Sequence, residues 1–123
     1  MYVGMKMLKA DQFVTITPDT PVADCEKLMV EHRLWMLLVV EDGKLKGHVR
    51  KEDVLEALPS RATTLSKHEL NYLLSKLSAE KILRKDVPTI SADAEIEEAA
   101  RRMFAEDLPG LAVVDGGKTL LGY

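Results

Sequence analysis

Residues 34–58 read LWMLLVVEDGKLKGHVRKEDVLEAL, and residues 108–123 read LPGLAVVDGGKTLLGY. The two stretches match when the chain is shifted by 74 positions against itself, and a further slip of one residue aligns Gly47 with Gly122. The other matches are Thr15-Ile16 with Thr89-Ile90, Asp19 with Asp93, Met29 with Met103, Leu34 with Leu108, Val39-Val40 with Val113-Val114, and Gly43-Lys44 with Gly117-Lys118. The chain therefore contains two copies of one structural unit.

The first half of each copy predicts a short strand followed by a helix. A β-branched segment, Val14–Ile16 in the first copy and Thr89-Ile90 in the second, ends at a polar turn. Thr20 is the predicted N-cap of the first helix, with Pro21 as its first helical residue. Apolar residues then recur at helical spacing: Val22, Cys25, Leu28 and Met29 in the first copy, and Ile96, Ala99, Met103 and Phe104 in the second.

The second half of each copy predicts a hairpin. Glycines supply the positive φ that its tight turn requires. The strand, turn and return strand are Met36–Val40, Asp42-Gly43 and Leu45–Val49 in the first copy, and Leu111–Val114, Gly116-Gly117 and Thr119–Tyr123 in the second. In the first copy a helix over Lys51–Leu58 follows, and Pro59 ends it. Because the second copy stops at Tyr123, before its equivalent helix, we expect the sequence to be truncated there.

A further helix is predicted in the segment that joins the copies. Ser66 and Glu69 form a capping box. An apolar stripe follows at positions i, i+3, i+4 and i+7, formed by Leu70, Leu73, Leu74 and Leu77. This stripe needs cover, either on the domain itself or in a dimer, and we favour the dimer interface.

The composition argues against several classes of partner and location. The formal charge is −3 and no run of five like charges occurs, which disfavours binding to nucleic acid or anionic lipid. The single cysteine, Cys25, lies in an apolar helical stripe, so we expect a buried thiol rather than a disulfide or zinc ligand. No apolar run approaches the roughly 20 residues of a membrane span, and no signal peptide is recognisable. We therefore expect a cytoplasmic protein.

The sequence carries no catalytic pattern. His32 ends a helix, His48 lies in a hairpin strand and His68 lies in the joining segment, so the three histidines do not converge. No nucleophile–base order, metal spacing, Walker loop or dinucleotide fingerprint is present. We predict that the chain is not an enzyme and that it requires neither a metal nor a cofactor.

The unit with its ending Gly47–Asp53 resembles the CBS repeat, two copies of which pair into a Bateman module. The joining segment, residues 62–77, resembles the inter-repeat segment of the acetoin utilisation (AcuB) family, in which an ACT domain usually follows. The resemblance implies an α+β, two-layer fold, in which each repeat packs a short sheet against helices and a pseudo-twofold axis relates the repeats. It divides the chain into repeat 1 (1–59), a helical linker (60–86) and repeat 2 (87–123).

The resemblance also implies an adenosine-containing ligand, either AMP, ADP, ATP or S-adenosylmethionine, in the cleft between the repeats. The edge of a β-branched segment such as Thr15, Ile16 and Thr17 would hold the adenine, and the Asp53 carboxylate would accept from ribose hydroxyls. Asp53 taken alone also suits the first turn of any helix. Arg50 stands where the family usually has Thr or Ser. It is either a cation for phosphate or a solvated surface residue.

A second departure concerns the residues before the central strand of each repeat. The basic residues and the Leu-Pro-Val-Val that the family commonly carries there are absent from both copies, which disfavours a triphosphate. Trp35 would stack on an adenine, or it belongs to the core or to a dimer interface, whereas His32 and Arg33 cap a helix. The full set of predicted ligand-binding residues is Thr15, Ile16, Thr17, Trp35, Met36, Val49, Arg50, Asp53, Ile90 and Ser91.

Two hypotheses of function follow. In the first, ligand binding in the cleft changes the packing of the repeats, and an attached domain or partner reads that change. In the second, the chain is a ligand-free homodimerisation or protein-interaction scaffold, which the leucine stripe and Trp35-Met36 favour. Both hypotheses predict a homodimer. They differ in whether the behaviour of the protein depends on a nucleotide.

Overall fold

The computed structural model describes residues 1–9, 12–59 and 65–123. The first repeat contains β1 (Thr15–Ile16), α1 (Val22–His32), β2 (Met36–Glu41), β3 (Lys44–Arg50) and α2 (Lys51–Ala57). The joining helix is α3 (Lys67–Lys76). The second repeat contains β4 (Thr89–Ser91), α4 (Ile96–Ala105), β5 (Ala112–Val114) and β6 (Leu120–Gly122). Two 3₁₀ turns, Val3–Met5 and Ala79–Lys81, precede the repeats.

Each repeat builds the same three-stranded sheet. The strand orders are β1-β2-β3 and β4-β5-β6, with a parallel first pair and an antiparallel hairpin. Thr15 pairs with Leu38, and their equivalents Thr89 and Ala112 pair in the second sheet. The α+β fold and the duplication predicted from the sequence are therefore confirmed, down to the register of the parallel strands.

The one-residue slip in the duplication arises in the hairpin turns. The first turn is formed by two residues, Asp42 and Gly43, with φ of 53° and 78°. The second is longer: Asp115 Oδ1 accepts from the backbone nitrogens of Gly117 and Thr119, each at 2.9 Å. Its positive φ falls on Lys118, at 65°. The prediction of a positive-φ glycine is confirmed in the first turn and wrong in the second, because the aspartate side chain organises a different turn.

Two details of the helices differ from the prediction. The N-cap of α1 is Pro21 rather than Thr20, whose hydroxyl instead accepts from the backbone nitrogen of Thr17 at 3.1 Å. The backbone nitrogen of Val22 has no partner within α1 and donates a hydrogen bond to the Leu77 carbonyl at 3.1 Å. The segment that follows α3 therefore satisfies this N-terminal amide of α1. On α4, Phe104 was predicted to face the core, but it is 92% exposed.

The apolar residues separate into three layers. One face of the first sheet packs on α1 and α2 through Leu37, Val39 and Val49, and the equivalent face of the second sheet packs on α4. The opposite faces of the two sheets meet each other, and Leu38, Ala112 and Leu120 are buried between them. Both faces of each sheet are therefore covered, which explains why the central strands are almost continuously apolar.

The segments that precede the two repeats are exchanged between them. In the N-terminal segment, residues 1–9, the backbone nitrogen of Val3 donates a hydrogen bond to the Ala94 carbonyl of the second repeat at 2.8 Å. Residues 77–88 are here called the crossing segment. Its Ala79 backbone nitrogen donates a hydrogen bond to the Thr20 carbonyl of the first repeat at 2.8 Å. Each segment also pairs with the end of a hairpin, through Leu8 with Tyr123 and Arg84 with His48. The exchange ties the two repeats into one unit.

The joining helix α3 lies at the surface. The predicted capping interaction is present, since Ser66 Oγ accepts from Glu69 N at 3.1 Å. None of its residues is buried, and Leu73 on the apolar stripe is 42% exposed. Residues 62–64 of the linker resemblance lie outside the described residues, and the boundaries at 59 and 86 stay a prediction.

Candidate ligand-binding clefts

A cavity of about 640 Å³, here called cleft A, opens between the two repeats. The first repeat contributes the start of β2, the end of β3 and one face of α2. The second repeat contributes the residues that lead into β4 and β5. The lining residues are Trp35, Met36, His48, Arg50, Lys51, Glu52, Leu55, Val87, Pro88, Asp107, Leu108, Pro109, Gly110 and Tyr123. The cleft is mostly apolar with a few charged groups at its rim, as is usual for small-molecule sites.

The charges of the first repeat at cleft A are already engaged. Arg50 donates from Nε to Glu52 Oε1 at 2.6 Å, and its terminal nitrogen contacts the same oxygen. Lys51 Nζ lies 4.7 Å from the ring centroid of Trp35, which is a cation–π distance. Trp35 is 76% exposed, which excludes the core position considered for it. The Glu52 carboxylate thus pairs with the Arg50 guanidinium, and the Lys51 ammonium lies over the Trp35 ring.

His48 forms a buried polar wall of cleft A. Its Nδ1 lies 3.0 Å from the Met36 sulfur. Its Nε2 is buried without a hydrogen-bond partner among the described residues, and Asp86 Oδ1 lies 3.6 Å away. Burial lowers the pKa of the imidazole below its usual value, and the Asp86 carboxylate opposes that shift only in part. Burial therefore favours the neutral form of the His48 ring.

Asp53, predicted to meet a ribose, does not line cleft A. Its carboxylate accepts two hydrogen bonds from Arg84 of the crossing segment, at 2.8 and 3.0 Å. It lines a separate shallow depression with Glu56 and Ala57. The hydrogen bonds from Arg84 lower the pKa of the Asp53 carboxyl despite some opposition from burial. In this arrangement the Asp53 side chain anchors the crossing segment, and Glu52 is the carboxylate of α2 that lines cleft A.

The other predicted residues fall into three groups. Trp35, Met36 and Arg50 are brought together in cleft A. Ile16 and Val49 are buried in the core against α1 and α2, while Thr15 and Thr17 are exposed. Ile90 and Ser91 line a different, polar hollow of about 620 Å³ beside α4. The predicted roles of all these residues in ligand binding stay predictions, and only the first group lies in cleft A.

Of the fourteen described residues that line cleft A, only Trp35, Met36 and Arg50 were predicted from the sequence. Val87 and Pro88, which come from the crossing segment, line it, and so do Pro109, Gly110 and Tyr123. A Cβ at Gly110 would lie 2.4 Å from the Tyr123 ring, so the glycine makes room for this aromatic wall. The available signal was the position of the two prolines, Pro88 directly ahead of β4 and Pro109 three residues ahead of β5.

A second cavity of about 440 Å³, here called cleft B, is the pseudo-twofold mate of cleft A. Phe13 and Val14 replace Val87 and Pro88 under the 74-residue shift, and residues 33–36 replace residues 107–110. Trp35, Met36, Pro109 and Tyr123 line both cavities. The remaining lining residues of cleft B are Leu8, Gln12, His32, Arg33, Leu34 and Leu38. His32 and Arg33, expected only to cap a helix, thus also border a cavity.

Two other kinds of site are absent from the described ranges. No group of three or more histidine, cysteine or acidic residues is arranged to hold a metal ion there. No helix in those ranges has both the length and the apolar character that a membrane crossing requires.

Comparison with known proteins agrees with the geometry. The CBS domain family matches residues 7–60 and residues 79–123, one match for each repeat. The chain belongs to the CBS domain family. Its two CBS domains exchange their leading segments, and the clefts lie where the two domains meet. The module thus carries the pair arrangement that the resemblance implied.

Several relatives resemble this CBS pair. An uncharacterised protein of Methanocaldococcus jannaschii is 32% identical over 72 residues, which cover 58% of this chain and 38% of that protein. The crystal structure of CBSX2 of Arabidopsis thaliana in complex with AMP is 26% identical, with a TM-score of 0.77, and covers 98% of this chain and 87% of that one. A putative acetoin utilisation protein (AcuB) of Vibrio cholerae is 22% identical, with a TM-score of 0.78 and coverages of 99% and 82%.

The curated relatives are much longer than this CBS pair. The matched part covers between 18% and 38% of their length. The likeness to AcuB, at 22% identity, shows the shared fold.

Proposed function

We propose that the chain is a regulatory CBS module that binds an adenosine-containing ligand in cleft A. The observation that carries this proposal is a single cavity between the repeats in which Trp35, Met36 and Arg50 meet. An aromatic face and an apolar wall suit a base, and Arg50 at the rim would have to exchange the Glu52 carboxylate for a phosphate or another acceptor. CBSX2, which shares this fold at 26% identity, has been crystallised with AMP.

Regulation requires more than binding. The ligand has to bind one arrangement of the repeats more tightly than another, because equal affinity shifts no equilibrium. Cleft A is suited to this, since one wall comes from each repeat and the crossing segment carries Val87 and Pro88 into it. A ligand held between these walls favours the arrangement in which they are close.

The module itself is proposed to catalyse no reaction. Among the described residues, His48 is a buried wall of cleft A, His32 borders cleft B and His68 is exposed on α3, so the three histidines lie in different places. The pathway suggested by the AcuB resemblance, a following ACT domain and a cytoplasmic location stay predictions.

Calorimetric titration with adenosine, AMP, ADP, ATP and S-adenosylmethionine tests the proposal. We expect heat from at least one ligand at millimolar concentration, and loss of that heat in Leu55→Trp, which places a large ring in cleft A. Leu55 is exposed, so the substitution needs no repacking of the core. The matched control is Val30→Trp, which adds the same ring at an exposed position on α1. No heat from any ligand, or equal loss in both variants, would refute binding in cleft A.

A second candidate, a homodimerisation scaffold, rests on α3. The helix is capped and amphipathic, yet none of its residues is buried, and Tyr72 and Leu73 are exposed. A second copy of the chain would cover this stripe. Sedimentation is expected to show a dimer that Leu73→Asp dissociates, with Asn71→Asp as a control that adds the same charge off the stripe. A monomer at tens of micromolar, or a dimer that both variants weaken alike, contradicts this candidate.

A further inference from the structure

The buried ring of His48 lies between two hydrogen-bond acceptors. Its Nδ1 lies 3.0 Å from the Met36 sulfur, and its Nε2 lies 3.6 Å from the Asp86 carboxylate. A neutral imidazole carries a single N–H, so one of its nitrogens must present a lone pair to an acceptor. An imidazolium carries an N–H at both nitrogens. The neighbours of the ring therefore suit the protonated form, whereas burial of the side chain favours the neutral form.

The backbone holds this ring against the crossing segment. His48 and Arg84 exchange two backbone hydrogen bonds of 2.8 Å each, and Arg84 also binds the Asp53 carboxylate. Asp86 follows two residues later, and its side chain is 80% exposed. Its 3.6 Å separation from Nε2 is longer than the about 2.7–2.9 Å of a charged hydrogen bond. The crossing segment thus has one closed ion pair, at Arg84, and one open pair, at Asp86.

Charged groups from three elements act on the His48 ring. Asp86 of the crossing segment and Asp53 of α2 favour the imidazolium, whereas Arg50 of β3 and Arg84 of the crossing segment oppose it. Desolvation is the largest effect and lowers the pKa of His48. Among these charges Asp86 acts most strongly on the ring. The other ionisable side chains that line cleft A are Lys51, Glu52, Asp107 and Tyr123.

We propose that His48 and Asp86 form a proton switch that couples pH to the wall of cleft A. On acidification Nε2 takes a proton from solvent and donates a hydrogen bond to Asp86 Oδ1, which closes the open pair. Asp86 directly precedes Val87 and Pro88, which line cleft A, so drawing Asp86 towards the ring moves this wall. His48 lines the same cleft, and its protonation therefore also places a positive charge in the wall.

The switch links protons to the charge of a ligand, a step that rests on the proposed function of cleft A. An imidazolium in the wall attracts a phosphate, whereas adenosine carries no charge for it to attract. AMP is expected to bind the protonated form roughly tenfold more tightly than the neutral form. Thermodynamic linkage then requires bound AMP to raise the pKa of His48 by the corresponding factor. Acidification would therefore tighten the binding of an anionic ligand.

The test follows the His48 ring and the Val87 amide by NMR as the full chain is acidified, with the exposed His32 and His68 as references in the same spectra. In the native protein we expect the Val87 amide to change with the midpoint of His48. Asp86→Ala is expected to lower that midpoint and to weaken the Val87 response, because the open pair loses its acid. The matched control Glu31→Ala removes an exposed carboxylate from α1 and should change neither.

The titration is repeated with saturating AMP and with adenosine. AMP is expected to raise the midpoint of His48, and adenosine, which lacks the phosphate, is not. A Val87 amide that does not follow His48, or equal midpoints in the native protein and Asp86→Ala, overturns the switch. AMP that binds in cleft A without raising the midpoint overturns the link to ligand charge. If neither ligand binds while Val87 follows His48 and Asp86→Ala lowers the midpoint, the proposed function fails and the switch stands.

Discussion

Substituting Gly47 by alanine should destabilise the fold strongly, because the backbone of the crossing segment lies directly on this glycine. An added Cβ would lie 2.3 Å from the Arg84 carbonyl oxygen and 2.7 Å from Leu83 Cδ1. The nearest neighbour is backbone and cannot rotate away, so the crossing segment must move. That movement strains the two hydrogen bonds between His48 and Arg84, each 2.8 Å long.

The expected loss follows from these contacts. Overpacking of this kind costs about 1–3 kcal/mol, and a weakened backbone hydrogen bond costs about 0.5–1.5 kcal/mol. We therefore expect Gly47→Ala to lower the free energy of unfolding by about 2–4 kcal/mol. For a urea m-value of about 2 kcal/mol per molar, the unfolding midpoint falls by roughly 1–2 M. The same displacement moves Val87 and Pro88, so binding in cleft A should weaken as well.

Gly116→Ala is the matched control. Gly116 also lies in a hairpin of the duplicated unit, but an added Cβ there meets no atom within 4 Å, and its φ is not positive. Urea unfolding of this variant is expected to show unchanged stability or a gain of up to about 1 kcal/mol. Equal midpoints for the two alanine variants would show that the crossing segment does not press on Gly47, and the account of the exchange would be wrong.

Three further predictions concern single side chains. Burial raises the pKa of the Cys25 thiol to about 11, so the native protein should resist a disulfide reagent at mildly alkaline pH and react fully in denaturant; rapid native labelling would contradict the burial. Because Arg84 holds the pKa of Asp53 below its usual value, their pair stabilises the fold at pH values above the pKa of an unfolded aspartate, and this stabilisation is lost as the pH falls through the lower folded pKa. Arg84→Gln should therefore flatten the acid limb of stability against pH measured by urea unfolding, and an unchanged limb would count against the pair. Phe104→Ser should change stability by no more than about 0.5 kcal/mol because the ring is exposed, whereas Val22→Ala should cost about 2 kcal/mol; similar losses in denaturation would refute the assigned burial.

Local patterns in the sequence determined much of the fold. The duplication follows from matched residues, and the strand register reproduces it, with Thr15 opposite Leu38 and Thr89 opposite Ala112. The Ser66 cap and the Asp42-Gly43 turn were also predictable, because each depends on hydrogen bonds or dihedral preferences within a few residues. In the second hairpin the Asp115 side chain organises the turn, and the positive φ lies at Lys118. The pair Gly116-Gly117 therefore led to a wrong prediction of where the positive φ lies.

The ligand-binding clefts could be predicted only in part. Trp35, Met36 and Arg50 were selected by their position in the repeat, and they do share a cavity. The direction of Asp53 was not predictable, because it depends on Arg84, which lies 31 residues further along the chain. The sequence by itself determined two homologous sheet-and-helix units and the residues at their equivalent positions. The tertiary structure alone decided which of those residues face each other across the clefts, because the exchanged segments bring together groups that no local periodicity relates.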